Sequence, residues 1–250
     1  MGSKPPLLFL AHRVPYPPNK GDKIRSFHLV RHLSQYFRIF LGAFADAPED
    51  AGHWLALREY CADVCLVPLR PPLRKSLGLL ALRAGSPLSV AYYRSGAMQR
   101  WVDRVVEREK IRRCMVFCSP MSRFVAPARP VHRHLDRIFV DCVDLDSEKW
   151  RQYASTSRWP LSWLYRREAQ LLLEHEKRTA AFADRIYFVS REEAELFSHR
   201  GGASTGRLDH FANGVDTEYF RPAPEVQSPY PPGVPALVFT GAMDYRPNVE

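Results

Sequence analysis

"LLFLAHRVPYPPNKGDKIRSFHL", Leu7 to Leu29, decides the fold. Its first five residues are an unbroken apolar run, the pattern of a short buried strand. A proline-rich loop follows, then a helical period in which Leu29, Val30, Leu33, Tyr36 and Phe37 share one face. Strand, loop and helix thus arise within about 30 residues, the length expected of one strand–helix unit.

The alternation continues outward from this stretch. "RIFLGAF" (Arg38–Phe44), "DVCLVPL" (Asp63–Leu69), "RCMVFCS" (Arg113–Ser119), "RIFVDCVD" (Arg137–Asp144) and "RIYFVS" (Arg185–Ser190) read as further short strands. Leu161, Leu164, Tyr165, Ala169, Leu172 and Leu173 form a stripe on a long helix that Pro160 starts. Repeated strand–helix alternation predicts an α/β protein with a doubly wound, Rossmann-like parallel sheet. Ligands of such sheets bind beyond the carboxyl ends of the strands.

"RPAPEVQSPYPPGVP", Arg221–Pro235, carries six prolines and a glycine in 15 residues, and suits a stiff linker. A fresh strand, "ALVFTG", comes after it. The expected division is residues 1–228 as a first domain and 229–250 as linker and the opening strand and turn of a second.

Three segments could carry chemistry. In "AHRVPYPPNKGDKIRSFH", Ala11–His28, Gly21 lets backbone approach a ligand at a helix N-terminus, and Arg13, Lys20, Lys23 and Arg25 add positive charge. That is a candidate anion site. A plain strand–helix turn with solvent-facing cations fits the same residues, and neither a Walker A loop nor G-x-G-x-x-G is present. In "VDCVDLDSEKW", Val140–Trp150, Asp146 with Ser147 reads as a helix N-cap, leaving Asp141 and Asp144 to line a cleft and accept hydrogen bonds from hydroxyls. In "FANGVDTEYFRP", Phe211–Pro222, Asn213-Gly214 predicts a positive-φ turn, and Asp216 is placed to cap the residues after it. A fourth segment, Pro68–Gly85, places Leu73, Leu77, Leu80 and Ala84 on one helical face amid arginine and lysine. It fits equally a bilayer-surface helix and a core-facing helix with a basic outer side.

Composition narrows the partners. The formal net charge of +9 suits anionic ligands or surfaces, yet its Lys and Arg are dispersed and no nucleic-acid module is recognisable, so nucleic acid is not an expected partner. No apolar run reaches the ~20 residues of a membrane span, and the N-terminus lacks a signal-peptide pattern, so a cytoplasmic protein is expected. The five cysteines are expected as buried thiols of a reducing compartment. His28 and His32 are spaced i, i+4 without an evident third ligand, and no metal or cofactor is expected.

"NGVDTEYFRP", "VFTGAMDYRPNVE" and "VPYPPNKGDKIRSFHL", with "ADRIYFVSREEAELF" between them, occur in an order that resembles the family-4 retaining glycosyltransferases. The likeness is greatest to sugar transferases associated with PEP-CTERM and exopolysaccharide gene clusters. It implies the N-terminal, acceptor-side half of a GT-B fold. It also implies a nucleotide-sugar donor as substrate and a lipid-linked or polysaccharide acceptor. An anionic membrane surface met through Leu73–Ala84, at the inner face of the plasma membrane, completes the expected partners. The resemblance places Gly21 beside the donor phosphate, Asp144 in the region of the family's cleft histidine, Asn213 in the motif leading out of the domain, and Gly241 at the end of the donor domain's first strand. The family's diphosphate-binding basic residues and its E-x7-E motif fall beyond Glu250, so the 250 residues alone are expected to show little transfer. An acceptor-binding module without chemistry is the alternative.

Overall fold

The computed structural model describes residues 4–69, 85–201, 205–221, 229–231, 233 and 235–239. The chain separates into two units, Met1–Asn213 and Gly214–Glu250. The first is built on one sheet of strands β1 (Pro6–Ala11), β2 (Arg38–Ala45), β3 (Cys61–Pro68), β4 (Arg113–Phe117), β5 (Arg137–Val143), β6 (Arg185–Phe188) and β7 (Leu208–His210). Their order is β3-β2-β1-β4-β5-β6-β7, and every neighbouring pair is parallel. The architecture is the doubly wound, Rossmann-like α/β sheet that the alternation predicts, and the order reverses between β1 and β4.

Both faces of the sheet are covered, which is why its strands are continuously apolar. On β1, Leu7, Phe9 and Ala11 enter one cluster while Leu8 and Leu10 enter the other. The first cluster takes Val30 from α1 (Gly21–Leu33) and Leu57 from the short α2 (Trp54–Leu57). The helices α3 (Leu88–Tyr92), α4 (Gly96–Arg108), α5 (Asp146–Thr156), α6 (Leu161–Phe182) and α7 (Arg191–His199) complete the unit. Met98, Trp101, Val102, Val105 and Val106 of α4 cover the opposite face, with Ala180 of α6 and Phe197 of α7.

β7 escapes a reading by apolar runs, because it is three residues long with Asp209 and His210 exposed. Pairing with β6, and not its own hydrophobicity, makes it a strand. Conversely, the apolar run "ALVFTG" does not form a strand over its described residues. Ala236–Phe239 are irregular, and Leu237, Val238 and Phe239 are all exposed. An apolar sequence becomes a strand only where a partner strand takes up its backbone groups. The stripe on α6 also needs one correction: Leu161 is 50% exposed, whereas Leu172 is fully buried. The helical face turns outward at its first residue. Leu73–Ala84 and Gly241 lie outside the described residues, as does most of the proline-rich segment.

Gly42 on β2 is required by close packing. A Cβ there would lie 2.9 Å from both Met98 Sδ and Trp101 Cζ3, and 3.0 Å from Leu10 Cδ2. The indole and thioether of α4 occupy the room a side chain would need. Gly42→Ala is expected to destabilise the protein by about 1–3 kcal/mol through overpacking, measured by urea unfolding.

Candidate functional site

The carboxyl ends of β1 and β4 flank the order reversal, where an open α/β sheet leaves a crevice. His12 and Arg13 leave the end of β1, and α1 begins nine residues after His12, at Gly21. Lys20 is its N-cap residue, in extended conformation and exposed. Gly21 is exposed, its φ lies outside the left-handed region, and a Cβ there would meet nothing within 4 Å. No contact within the described chain requires glycine at this position.

Asp22 changes the electrostatics of this helix start. Its Oδ2 accepts from His12 Nε2 at 3.2 Å and from Arg13 Nη1 at 3.0 Å. Burial acts to raise the Asp22 carboxyl, but His12 and Arg13 outweigh it and hold the group well below the usual carboxylate range. Arg13 also pairs with Asp46 through Nε at 2.8 Å. The mouth of the crevice therefore sets one guanidinium and an imidazole against two carboxylates. His12 stacks on Phe117 at 5.8 Å, and its Nδ1 is buried with no hydrogen-bond partner. The imidazole is thus oriented by a carboxylate through one nitrogen.

Two of the four expected cations are internal. Lys23 pairs with Asp50 at 2.8 Å, with side chains only 9% and 5% exposed. Asp50 in turn accepts the Asp46 and Ala47 N–H groups and so fixes the turn after β2. Arg25 donates through Nε to Asp141 Oδ2 at 2.8 Å and through Nη2 to Oδ1 at 3.2 Å. Its Nη1 reaches Asn213 Oδ1 at 2.8 Å, its Nη2 also reaches the Phe211 carbonyl, and the guanidinium lies 3.9 Å from the Phe211 ring centroid. Neither Lys23 nor Arg25 supplies open positive charge at the helix start, because each is buried against its own carboxylate.

The same cluster corrects two further expectations. Asp141 is fully buried at the end of β5, with Arg25 on both oxygens and the Val143 N–H on Oδ1. It holds α1 to the sheet and does not line a cleft for hydroxyls. Burial pushes its carboxyl up while the Arg25 hydrogen bonds oppose that. At Asn213-Gly214 neither residue has positive φ. Chain direction there is set by the Asn213 carboxamide accepting from Arg25. Asp216 does act as a cap, accepting from the Glu218 and Tyr219 N–H groups at 3.1 and 3.0 Å.

The strand ends at this edge carry backbone strain. Cys118 (φ 77°) lies just past β4 and Val143 (φ 66°) ends β5, both in a region that branched and bulky residues avoid. Asp141 touches both, its carbonyl accepting the Cys118 N–H at 2.8 Å and its side chain the Val143 N–H at 3.1 Å. Such strain persists where the surroundings over-determine it, and it concentrates at functional sites.

Beyond Val143, Asp144 is half-buried and pairs with Lys149 at 3.3 Å. Helix α5 is not capped by Asp146 or Ser147. Leu145 is its N-cap, and the free amides are taken by carboxylates from distant helices. Glu193 Oε2 accepts the Leu145 N–H at 2.7 Å, and Glu176 Oε1 accepts the Ser147 N–H at 3.3 Å. Glu176 Oε2 is buried without a partner. Burial, with the negative charges of Asp146 and Glu193, pushes this carboxyl up to about 8.

Cys118 contacts Asp146 at 3.8 Å, and burial raises the Cys118 and Cys142 thiols well above their ordinary range, which makes them poor nucleophiles. Among the described residues no group of three or more His, Cys, Asp or Glu side chains is placed to hold a metal ion. None of their helices is long and apolar enough to cross a membrane.

Apolar runs do not reveal His12, Asp22, Asp50 or Phe211. The available signals were a histidine directly after a strand and an acid in the first turn of a helix.

Fold and crevice together define a Rossmann-like α/β unit with a strained, polar carboxyl edge. No family model matches the chain, and no curated protein matches it. It is similar to UGT2 of Phytolacca americana complexed with UDP-2fluoro-glucose and pterostilbene, with a TM-score of 0.46 and 10% identity over 86% of this chain and 55% of that one. It is also similar to TcCGT1 in complex with UDP, with a TM-score of 0.39 and 13% identity over 80% of this chain and 47% of that one. The chain spans about half the length of these structures.

The buried groups have two measurable effects. Arg25→Met leaves Asp141 buried and unpaired, and is expected to cost about 3–5 kcal/mol in urea unfolding, with part regained in Arg25→Met/Asp141→Leu. Glu176 keeps its proton up to about pH 8 when folded but releases it near its ordinary value of 4.5 when unfolded. The folded state therefore binds more protons in that window, and stability falls as pH rises through it. Glu176→Gln should flatten this dependence and be the more stable protein above pH 8.

Proposed function

We propose that this chain is the acceptor-side part of a retaining family-4 glycosyltransferase. It would transfer a sugar from a nucleotide-sugar donor to a lipid-linked or polysaccharide acceptor in exopolysaccharide synthesis. The observation that carries the reading is the Arg25 cluster. It ties the loop–helix of Gly21 to Asn213, two of the four segments on which the family resemblance rests, at the carboxyl edge of the sheet. The exposed start of α1, with Lys20 and an open Gly21, supports a phosphate contact there. Arg13 and Asp144 stand at the same edge as candidate contacts to sugar hydroxyls. Transfer requires a closed, preorganised cleft to stabilise the departing diphosphate, and this unit supplies one wall of it. The domain division near residue 228, Gly241 at the end of the next unit's first strand, and membrane contact through Leu73–Ala84 belong to the same reading.

A second reading concerns stereochemistry. Asp22 holds His12 through Nε2, which leaves Nδ1 as the nitrogen that a single displacement with inversion would use as base, and that nitrogen would have to reach the acceptor hydroxyl from its buried position. The anomeric configuration of the product, read by proton NMR, decides between the two.

The function itself is tested by incubating the protein with radiolabelled nucleotide sugars and polyprenyl-phosphate-linked saccharides. Label entering the lipid fraction supports transfer. Saccharide binding with little transfer is the outcome both readings expect of these 250 residues alone, and neither activity nor binding overturns both. Lys20→Glu is expected to weaken nucleoside-diphosphate binding about tenfold by calorimetry. Its melting temperature should be unchanged, because the residue is exposed.

A further inference from the structure

A cavity of about 900 Å³ opens between α3, the C-terminal half of α6 and the crossover that joins β4 to β5. Its volume falls within the ~300–1,000 Å³ of sites that take small molecules. It shares no residue with the crevice at the order reversal between β1 and β4.

The walls divide by chemistry. Val90 and Ala91 of α3, with Phe182 of α6, supply an apolar side. The charged side is Arg94, just past α3, Arg123 and Arg129 in the crossover, and Arg178 on α6. Among the described residues lining the cavity, none is acidic. Arg129 and Arg178 meet no carboxylate among the described residues, although ion pairs are frequent elsewhere in the unit. Positive charges gathered from separate segments around one concave space repel each other, and an anion that enters relieves that repulsion.

One wall is held in place by hydrogen bonds. Thr179 Oγ1 donates to the His175 carbonyl at 3.0 Å, and Ser122 Oγ lies 2.8 Å from Thr179 Oγ1. Both hydroxyl residues are buried. His175 Nε2 lies 3.0 Å from the Ser119 carbonyl and 3.3 Å from Ser122 Oγ. A carbonyl only accepts, so Nε2 carries the ring proton. Burial, joined by the positive charges of Arg123 and Arg178, pushes His175 below its ordinary value despite the Ser119 contact. The imidazole is neutral at pH 7, and Nδ1 is its acceptor. The wall thus adds an acceptor for a hydroxyl to the arginines that attract an anion.

This combination selects a class of ligand. A carboxylate is planar and takes guanidinium forks in its own plane. A phosphate monoester spreads its charge over three terminal oxygens in a tetrahedron, so arginines from different segments can hold it together. The imidazole acceptor and the apolar side fit a hydroxyl-bearing ring with one apolar face.

We propose that this cavity binds a small phosphate monoester, with its phosphate among Arg94, Arg123, Arg129 and Arg178 and its hydroxyl-bearing body between His175 and Phe182. The site goes beyond the sugar-transfer reading and does not rest on it, since binding here is measured without transfer.

The test is calorimetric titration of the intact chain with glucose 6-phosphate, AMP, inorganic phosphate and citrate. At least one of the two monoesters should bind with a Kd of about 0.1 mM or tighter, and about tenfold more tightly than inorganic phosphate or citrate. Arg178→Glu and Arg129→Glu should each weaken that binding about tenfold, while Lys20→Glu at the crevice should leave it unchanged. Arg178→Glu should keep the wild-type melting temperature, because Arg178 is exposed. Absence of binding by both monoesters overturns the proposal. Equal binding of citrate or inorganic phosphate overturns it in favour of unspecific charge attraction. Binding lost in Lys20→Glu and kept in Arg178→Glu overturns it by placing the ligand in the crevice.

Discussion

The Arg25–Asp141 ion pair is the constraint on which the site depends. Two opposite charges buried at the end of β5 are tolerable only if each is fully hydrogen-bonded, and this pair meets that condition with partners from three parts of the chain. It anchors α1 to the sheet, fixes the segment that leaves β7, and through Asp141 holds the strained Cys118 and Val143 at the ends of two adjacent strands. Without it, the crevice at the order reversal would have no defined wall.

The remaining charges of this edge divide by burial. Lys23–Asp50 repeats the logic of Arg25–Asp141 and sets the turn after β2. His12, Arg13, Asp22 and Asp46 stay partly accessible and form a mouth of two carboxylates around one guanidinium and an imidazole. A basic sequence motif has thus become two internal clamps and one mixed polar cluster, leaving Lys20 and the start of α1 as the positive end that a ligand would meet.

Much of the sheet was legible in the sequence, because β1, β2, β4 and β5 are buried over most of their length and β3 and β6 partly so, and each therefore carries an apolar run. β7 was not, because a strand of three residues at the edge of a sheet carries no hydrophobic signal. Over its described residues, 236–239, "ALVFTG" is irregular for the converse reason, since an apolar run records a tendency to be buried and not the presence of a partner. The α5 start shows a third case. Asp146 and Ser147 are good capping residues, yet Glu176 and Glu193, from other helices, took over the free amides.

The sequence by itself determined the class of fold, some of the residues that meet at the carboxyl edge, and the segments behind the family resemblance. Alternating apolar runs and helical stripes are local properties, and they survive in any arrangement of the elements. Only the tertiary structure decided what each polar residue does. Whether Arg25 faces a ligand or Asp141, whether Asp141 accepts from a sugar or from a guanidinium, and whether Trp163 is core or surface depend on contacts between residues far apart in the chain. Those contacts are set by how helices pack on a twisted sheet. Residue type and spacing do not encode them one position at a time.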